Sequence, residues 1–323
     1  MKKLQTSAPT RGLPFSRISG AVGGQCIAAI VVLYHPDNRL LERLLSSVVD
    51  QVNRILVIDN TPNPDAEITR LLNSFDERVS YFPLGDNMGI ATAQNIGIEK
   101  SIAASCSHVL LLDQDSALPP KMVEDLLAAE AALLREGKEV AAVGPQFIDE
   151  KSGRPSPAIR HHYFWIHKMY LDSNSADPVE TDHMIASGSI MRTSVLQRVG
   201  PMRDDLFIDW VDIEWCMRAR SMGYKSYYIP SAVMKHSVGD SMVKVLGRDV
   251  HLHNDLRNYY MLRNAIYLFR LKSMGWRWKI NFAPRIPCYV VLYSWFSKNR
   301  LDNITMILRA IYDGLRGRLG RLV

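Results

Sequence analysis

Two aspartates separated by a single residue follow an apolar run at residues 109–112. They are Asp113 and Asp115, and Gln114 stands between them. An apolar run that ends in acids predicts a strand buried on both faces. Extended backbone aims residues two positions apart toward the same side, so we expect the two carboxylates to point together. Such a pair suits a hard cation, Mg²⁺ or Mn²⁺, that bridges it to phosphate oxygens.

The same aspartates also have an interpretation without chemistry. Asp113 can cap a turn, and Asp115 can cap the helix that Pro119 and Pro120 introduce. Taken alone, these residues favour neither interpretation. The choice between them depends on what the rest of the chain brings to the same place.

A second group of acids opens a helical pattern at residues 207–218. Asp209, Asp212 and Glu214 lie there, flanked by Trp210 and Trp215. Capping and the helix dipole favour acids at a helix start without any chemical role. The tryptophans, however, predict a partly apolar cleft, in which the pKa of a carboxyl group can rise toward that of a useful base.

Apolar, β-branched runs alternate with helical patterns over the first half of the chain. Strands are predicted at residues 26–34, 54–60, 79–82, 109–116 and 140–144, with helices between them. This alternation predicts an α/β fold, a Rossmann-like, mostly parallel, doubly wound sheet flanked by helices. Ligands in such sheets bind beyond the carboxyl ends of the strands, at the topological switch point.

Polar residues stand at three of these strand ends. They are Tyr34 and His35 after the first strand, Asp59 and Asn60 at the end of the second, and Asp113 and Asp115 at the end of the fourth. Because the carboxyl ends of parallel strands meet at one edge, we expect these side chains to converge on one site.

The pattern is less regular between residues 149 and 241. Residues 158–171 suit an irregular hairpin or a substrate loop, and residues 185–191 suit a strand with small residues at its centre. A glycine at position 188 has two possible reasons, the close approach of a ligand to the backbone or tight packing of the strand. Two further strands are predicted at residues 225–230 and 232–236. His236 ends the second of them, before a Gly/Ser loop, which makes it a candidate ligand.

Composition and charge divide the chain into three parts. A polar tail at residues 1–25 lacks the apolar stretch of a signal peptide and is predicted to be flexible. Residues 26–241 form the α/β domain. Residues 241–323 hold 15 Lys/Arg against 4 Asp/Glu, so a helical, basic extension is predicted from residue 242. Zinc-finger and RRM-type signatures are missing, so the basic end favours an anionic membrane surface over nucleic acid.

No membrane span is predicted in the extension. Residues 282–296 are shorter than the ~20 apolar residues that a span needs, and Pro284, Arg285 and Pro287 interrupt them. Trp276, Trp278 and Trp295 with nearby basic residues suit a segment that lies in the lipid headgroup layer. The four scattered cysteines show no CxxC spacing, which is typical of core thiols in a reducing compartment.

Four motifs in unbroken order resemble the inverting GT-A glycosyltransferases of family 2. They are IDN at residues 58–60, NMGIA at 87–91, LDQDS at 112–116 and FIDWVDIEWCMR at 207–218. The sequences of the last two motifs are most similar to those of bacterial rhamnosyltransferases that build O-antigen and related surface polysaccharides. The resemblance covers roughly residues 27–241, and it implies a metal-dependent inverting transferase.

The resemblance also implies roles for single residues. Asp59 is similar to the acid that contacts the nucleotide base, and Asn87, Gly89 and Asn95 are similar to the loop on the nucleotide side. Asp113 and Asp115 match the DxD motif, whose second aspartate typically ligates the metal. His236, with Gly239 and Ser241, resembles a segment near the diphosphate and the metal.

Asp212 matches the aspartate of the acidic pair that usually supplies the catalytic base. Val211 precedes it where the family has glutamate, so Asp209 and Glu214 remain rival candidates. Tyr34, His35, Asn60 and Gln114 complete the predicted nucleotide side. Trp210 and Trp215 are predicted to lie on the acceptor side.

Together these features predict the transfer of rhamnose from dTDP-L-rhamnose to a lipid-linked saccharide, with Mg²⁺ or Mn²⁺ as cofactor. The protein is then expected in the cytoplasm, peripheral on the inner membrane. The alternatives are a nucleotide-sugar-binding module without catalysis and a family 2 transferase for another sugar. A dehydrogenase is disfavoured, because no G-x-G-x-x-G follows the first strand.

Overall fold

The computed structural model describes residues 24–149, 153, 155–236, 241–245, 248–252, 255–296 and 300–322. The strands are β1 Ile27–Leu33, β2 Arg54–Asp59, β3 Val79–Pro83, β4 His108–Asp113, β5 Val140–Asp149, β6 Ala158–His161, β7 Ile166–Met169, β8 Val179–Thr181, β9 Ile190–Arg192, β10 Lys225–His236, β11 Ser241–Val245 and β12 Arg248–Leu252. The helices are α1 Asn38–Val48, α2 Ala66–Asn73, α3 Ile90–Ala103, α4 Met122–Arg135, α5 Thr193–Val199, α6 Val211–Ser221, α7 Asp255–Leu268, α8 Gly275–Phe282, α9 Arg285–Phe296 and α10 Arg300–Arg316, with a 3₁₀ turn at Asp204–Leu206.

An eight-stranded sheet in the order β3-β2-β1-β4-β9-β5-β10-β8 forms the centre of the molecule. The chain runs outward from β1 through β2 to β3 and then returns to the other side of β1 as β4. The switch point of the sheet therefore lies between β1 and β4. The predicted α/β fold with a mostly parallel, doubly wound sheet is confirmed.

The register of the parallel strands places the predicted polar ends side by side. Leu33 of β1 pairs with Asp59 of β2, and Val32 of β1 pairs with Asp113 of β4. Residues 27–31 of β1 are completely buried, because helices cover both faces of the sheet. The predicted convergence of these ends at one edge is confirmed.

The helices that flank the sheet follow the sequence pattern closely. In α1, the side chain of Asp37 accepts hydrogen bonds from the backbone N–H groups of Arg39 and Leu40 and so caps the helix. Leu41, Leu44, Leu45 and Val48 are buried at helical spacing against the sheet.

The strand predicted at residues 185–191 is shorter than expected and lies later in the chain. Only β9 forms there, antiparallel to both β4 and β5. Residues 185–189 instead form a loop across the end of β4. A Cβ atom at Gly188 would lie 2.8 Å from the side chain of Pro145, so tight packing explains this glycine.

Three further elements differ from or refine the sequence prediction. The strands predicted at 225–230 and 232–236 are one strand, β10, with an irregularity between Ile229 and Val233. Residues 158–171 contain the β6–β7 hairpin, which was one of the two predicted forms. The basic extension begins with a second hairpin, β11–β12, before its helices.

The helices of the extension pack against the α/β domain. Trp278 and Phe282 of α8 are buried beside Trp210, and the indole N–H of Trp210 donates a 3.0 Å hydrogen bond to the carbonyl of Met261 in α7. Among the described residues, no helix has the length and apolar character needed to cross a bilayer.

Candidate active site

The end of β4 presents two acids at the switch point. Asp113, Gln114 and Asp115 are all partly buried there. The backbone N–H of Asp113 donates to the hydroxyl of Ser187 (3.1 Å), and Ser187 is hydrogen-bonded to Ser116 (2.7 Å). The loop before β9 therefore fixes the turn that carries both carboxylates.

The capping role considered for Asp115 is not found. The helix α4 begins after Lys121, which has a left-handed backbone and makes no side-chain cap. The backbone carbonyl of Asp115 accepts a 3.1 Å hydrogen bond from Arg43, and its carboxylate has no protein partner among the described residues. The carboxylate of Asp115 is thus available to a ligand.

Gln114 joins the ends of β1 and β4. The backbone N–H of Tyr34 donates to Oε1 of Gln114 (2.8 Å), and Nε2 of Gln114 donates to the carbonyl of Tyr34 (3.2 Å). The ring of Tyr34 is 47% exposed and packs edge-on against His35. Two exposed rings therefore border the switch point, where a planar base can stack.

Asp59 is fully buried and has a partner on each carboxylate oxygen. It accepts hydrogen bonds from the backbone N–H of Thr61 (2.9 Å) and from the hydroxyl of Tyr81 (2.7 Å). Burial, and then the hydrogen bond to Asp59, raise the pKa of Tyr81 well above its usual value. The structure shows Asp59 organising the loop at the end of β2, and its contact with a nucleotide base stays a prediction.

Asn60 and Asn87 fold the loop that precedes α3. Asn60 donates to Oδ1 of Asn87 (2.9 Å) and accepts from the backbone N–H of Met88 (2.7 Å). Gly89 has a φ of +87°, and a Cβ atom there would lie 2.7 Å from Phe207. Gly89 is therefore required by the close approach of the loop to the segment before α6.

Asn95 binds the backbone on the far side of α3. Its Nδ2 donates to the carbonyl of Met202 (2.9 Å), and its Oδ1 accepts from the N–H of the same residue (2.8 Å). The structure thus shows a structural role for Asn95, and its predicted contact with nucleotide stays a prediction.

The segment just before α6 has an unusual backbone. Phe207, Asp209 and Trp210 all have φ between 61° and 67°, a region that side chains other than glycine rarely adopt. Nδ2 of Asn264 in α7 lies within hydrogen-bond distance of the carbonyls of Leu206 (2.9 Å), Ile208 (2.8 Å) and Asp209 (3.3 Å). A residue more than fifty positions away therefore holds this strained segment.

Asp212 lies in the first turn of α6 and has no cationic partner among the described residues. Its carboxylate accepts hydrogen bonds from the backbone N–H groups of Ile213 (2.8 Å) and Ala186. Its pKa is raised to about 6, chiefly by burial; the negative charges of Asp113 and Asp209 also raise the pKa, and the two backbone hydrogen bonds lower it. The sequence prediction of a carboxyl group with a raised pKa is confirmed for Asp212.

The two rival acids are both neutralised by arginine. Asp209 is paired with Arg257 of α7 at 3.1 Å. Glu214 is 1% exposed and paired with Arg218 at 3.0 Å, and Arg218 also donates to the carbonyl of Val199. In each pair the guanidinium contacts both carboxylate oxygens, so these oxygens are already engaged within the protein. Asp212 is the acid of this group that is best suited to accept a proton.

The acceptor-side position predicted for the tryptophans is wrong. Trp210 is 8% exposed and lies among the aromatic rings of α8, and Trp215 is 1% exposed with its indole N–H bonded to the carbonyl of Gly200. Both side chains belong to the core. Desolvation of Asp212 was predicted correctly, but the two tryptophan rings are packed within the core and do not line a cleft.

The donor set at the switch point fits a divalent cation that is held partly by substrate. Asp113 and Asp115 offer carboxylate oxygens, the ligands that Mg²⁺ and Mn²⁺ prefer, and Mg²⁺ commonly binds through one or two carboxylates together with substrate phosphates. Within the described part of the chain, no three His, Cys, Asp or Glu side chains cluster as a metal site. The side chain of His236, with Gly239 and the side chain of Ser241, lies outside the described residues.

Comparison with known proteins agrees with this geometry. The model of the family described as "Glycosyl transferase family 2" matches residues 29–200 of the chain, more than half of its length. This chain belongs to glycosyl transferase family 2. The matched region begins within β1 and extends past β9, so it contains the ends of β1, β2 and β4 at which Asp59, Asp113 and Asp115 lie.

The curated relatives of this family 2 protein include rhamnosyltransferases. It is 29% identical over 294 residues to the "dTDP-rhamnosyl transferase RfbF" of Shigella flexneri, with 91% of this chain and 97% of the relative covered. It is 24% identical over 318 residues to an "N-acetylglucosaminyl-diphospho-decaprenol L-rhamnosyltransferase" of Mycobacterium tuberculosis, with 87% and 97% covered. The resemblance to family 2 rhamnosyltransferases is confirmed.

Solved structures confirm that the sheet of this family 2 protein is of the GT-A type. The crystal structure of GalNAc-T7 with UDP, GalNAc and Mn²⁺ superposes with a TM-score of 0.60 at 15% identity, covering 90% of this chain and 57% of that one. The structure of S. aureus TarS 1-349 with UDP-GlcNAc superposes at 0.54 and 14% identity, covering 90% and 81%. At these identities the likeness concerns the fold alone.

Three residues of this family 2 protein hold the site but were not predicted. Ser187 contacts the backbone of Asp113, Tyr81 holds Asp59, and Asn264 holds the segment before α6. Ser187 lies in the Ser-Gly-Ser stretch that the sequence marks as unusually small. Nothing in the local sequence distinguishes Tyr81 or Asn264, since each acts on a segment that is distant along the chain.

Proposed function

We propose that this family 2 glycosyltransferase moves rhamnose from dTDP-L-rhamnose to a lipid-linked saccharide, with inversion, in the synthesis of a bacterial surface polysaccharide such as O-antigen. The names of two relatives support the donor sugar, and one of them includes a lipid diphosphate as the carrier of its acceptor. The alignments with these relatives cover more than 85% of this chain, so the proposal concerns the chain as a whole.

Asp212 is the proposed catalytic base. The observation that carries this assignment is that Asp212 has a pKa raised to about 6 and no arginine partner among the described residues, whereas Asp209 and Glu214 are each paired. A base with a pKa near the working pH accepts a proton from the acceptor hydroxyl most effectively, which typically contributes ~10²–10⁴-fold in rate. In inverting transfer, this hydroxyl attacks the anomeric carbon from the face opposite to the leaving diphosphate.

The donor is proposed to bind at the switch point between β1 and β4. The exposed rings of Tyr34 and His35 border it, and Gln114 ties the ends of the two strands together. Asp59, Asn60, Asn87 and Gly89 shape the neighbouring loops. Asp113 and Asp115 lie where the diphosphate is expected, because ligands of such sheets bind beyond the strand ends.

Asp115, with Asp113 and the predicted ligand His236, would hold Mg²⁺ or Mn²⁺ in this proposal. The bound metal would neutralise the charge that develops on the leaving diphosphate. The carboxylate of Asp115 supports this role, because it has no protein partner among the described residues. The charge of Asp113 raises the pKa of Asp212. The proposed metal ligand and the proposed base therefore lie near each other.

The protein is proposed to work in the cytoplasm at the surface of the inner membrane. The surplus of basic residues after residue 241 supports attachment to anionic lipid. Exposed aromatic side chains support it as well: Phe164 is 78% exposed, Trp165 is 59% exposed and Trp276 is 51% exposed. Aromatic rings of this kind favour the membrane–water interface.

A donor screen tests the proposed function. The purified protein is incubated with dTDP-L-rhamnose, UDP-GlcNAc or UDP-galactose, with and without Mn²⁺, in the presence of a lipid-linked acceptor extract. The proposal expects nucleotide release and sugar transfer with dTDP-L-rhamnose. Binding of dTDP-L-rhamnose without transfer to any acceptor would instead identify a binding module, and transfer of another sugar would overturn the assigned donor.

A further inference from the structure

A pocket of about 290 Å³ lies between α7, α10 and the C-terminal segment, apart from the candidate active site. It is lined by Tyr259, Arg263, Arg309, Tyr312, Asp313, Arg318, Leu319, Arg321 and Leu322. Its volume is at the lower end of the roughly 300–1,000 Å³ that small-molecule sites occupy, which suits a headgroup-sized ligand. Four arginines against one aspartate make the lining strongly positive.

Among the described lining residues the one acid, Asp313, has partners within the protein. Asp313 accepts a 2.7 Å hydrogen bond from the hydroxyl of Tyr259 and lies 3.6 Å from Arg309. It is 6% exposed. Asp313 therefore offsets the charge of Arg309 in part, whereas Arg263 and Arg318 have no acidic partner among the described residues.

One of the arginines is almost completely buried behind the pocket. Arg263 is 1% exposed, and its guanidinium donates to the carbonyls of Gly320 (2.6 Å) and Leu206 (3.0 Å) and to the side chain of Asn264 (2.9 Å). None of these partners carries a negative charge. A buried cation that is held by neutral groups adds a positive potential that an anion in the pocket would offset.

The other arginines lie at the mouth of the pocket, where the protein surface is exposed. The guanidinium of Arg318 lies 5.1 Å from the ring centre of Tyr312. Arg321 pairs with Asp86 at 2.7 Å, which links the rim to the loop that contains Asn87. The planar fork of arginine matches the oxygens of a phosphate group.

An exposed apolar face of α10 runs beside this mouth. Ile304, Leu308, Tyr312 and Leu315 recur at helical spacing and are 44%, 61%, 47% and 64% exposed. Tyr312 belongs both to this face and to the pocket. Helices with an apolar face beside basic residues are typical of segments that lie in a lipid interface. The ligand that suits both features is therefore an anion attached to a hydrocarbon chain.

We infer that this pocket binds a phosphate or diphosphate group carried by a lipid, while the apolar face of α10 contacts the hydrocarbon region. Arg309 and Arg318 bind the phosphate oxygens at the mouth, and the charge of Arg263 supports them from within. The inference rests on the proposed function in one respect, the identity of the lipid. That lipid is either the carrier of the acceptor saccharide or a phospholipid of the membrane.

Co-sedimentation of the full chain with phosphatidylcholine vesicles tests the inference. The vesicles contain phosphatidic acid, a polyprenyl diphosphate or no added lipid, and inorganic pyrophosphate serves as the soluble probe. We expect binding to the vesicles that contain phosphatidic acid, to those that contain polyprenyl diphosphate, or to both, but not to vesicles of phosphatidylcholine alone. Arg318→Gln is expected to weaken this binding about fivefold and Arg309→Gln/Arg318→Gln further, since each basic side chain at an anionic surface contributes that much.

Arg70→Gln is the matched control, because Arg70 is an exposed arginine of α2 outside this pocket. An equal loss in this control, or full binding by Arg309→Gln/Arg318→Gln, would overturn the inference. Binding of pyrophosphate without binding to any vesicle would overturn the lipid part. Preference for polyprenyl diphosphate identifies the acceptor carrier, and equal binding of phosphatidic acid identifies a membrane phospholipid.

The binding of dTDP, measured by calorimetry on the same variants, separates this inference from the proposed function. Arg318→Gln is expected to bind dTDP as the unchanged protein does, which also shows that it is folded. Loss of vesicle binding with dTDP binding intact supports the pocket. Absence of dTDP binding in the unchanged protein would contradict the proposed function and leave the vesicle result to decide the pocket.

Discussion

Asp212 lies within electrostatic range of Asp113, although ninety-nine positions separate them in the sequence. Burial is the largest cause of the raised pKa of Asp212, and the charge of Asp113 raises it further. Adjacent residues of one loop touch both acids: Ala186 donates to the carboxylate of Asp212, and Ser187 accepts from the backbone of Asp113. The loop before β9 thus links Asp113, a proposed metal ligand, to Asp212, the proposed base.

Asp212→Asn is expected to abolish transfer and to stabilise the fold. Asparagine cannot accept the hydroxyl proton, so kcat should fall by about 10²–10⁴-fold. Asparagine also removes the cost of a buried charge, so the free energy of unfolding at pH 8 should rise by about 1–3 kcal/mol. Urea denaturation and a transfer assay on the same preparation check both effects. Retention of full activity would remove Asp212 from the mechanism.

The pH dependence of activity and of stability should have opposite signs. A base must be ionised to act, so kcat/KM should rise with pH to a plateau above about 6. The folded protein binds the Asp212 proton more tightly than the unfolded chain does. Its contribution to stability is therefore complete below about pH 4 and lost as pH rises through about 6. The difference in unfolding free energy between wild type and Asp212→Asn, measured from pH 4 to pH 8, isolates this group.

Much of the fold, and the convergence of polar residues at the strand ends, could be predicted from the sequence, because the patterns behind them are local. The runs that became β1, β2 and β4 end in polar residues, and the alternation with helices fixes where parallel strand ends meet. The pairing of Glu214 with Arg218 was also accessible, since the two stand four positions apart on α6.

The contacts that decide between the acids could not be predicted, because they join distant segments. Arg257 reaches Asp209 from a helix forty-eight positions later. The tryptophans were assigned to a cleft because the sequence does not show that α8 covers Trp210. The strand predicted at residues 185–191 was placed too early, because β9 has three residues, too few for alternation to fix its bounds.

Glu214→Ala is expected to destabilise the protein, so a loss of activity in this variant would not show that Glu214 is the base. Removing one partner of a buried ion pair leaves Arg218 without its counter-charge, which costs about 3–5 kcal/mol. The measurement is the shift of the urea midpoint. Glu214→Gln keeps the shape and most hydrogen bonds of the side chain, and this variant should fold and transfer sugar. An inactive but fully folded Glu214→Gln protein would favour Glu214 over Asp212 as the base.

Asn264→Ala should lower kcat more than it lowers donor affinity. The substitution removes the Nδ2 donor of the Ile208 carbonyl and leaves the Leu206 carbonyl with Arg263 alone, so the strained backbone before α6 can relax and displace Asp212. We expect a loss of at least about tenfold in kcat with the affinity for dTDP unchanged.

Asn281→Ala is the control for Asn264→Ala. Nδ2 of Asn281 likewise donates to two backbone carbonyls, those of His162 and Arg277, but away from this segment. Both variants should lose about 1–3 kcal/mol of stability. If Asn281→Ala lowers kcat as strongly, the effect is a general loss of stability and the positioning role of Asn264 is refuted.

Asp115→Asn should weaken donor binding in a manner that depends on the metal. With Mn²⁺ present, the affinity for dTDP should fall by at least about tenfold, while without metal both proteins should bind dTDP equally weakly. Calorimetric titration under both conditions separates these effects. Asp50→Asn is a suitable control, because Asp50 is an exposed acid just before β2, at the edge of the sheet opposite to the strand end that carries Asp113. Equal losses in both conditions would contradict a role for Asp115 in holding a metal.

The most direct test is the transfer of rhamnose by wild type and by Asp212→Asn, followed by NMR of the product. Wild type should convert dTDP-L-rhamnose into free dTDP and a rhamnoside of inverted anomeric configuration, and Asp212→Asn should bind the donor but give no product. A product of retained configuration, or undiminished transfer by Asp212→Asn, would contradict the account.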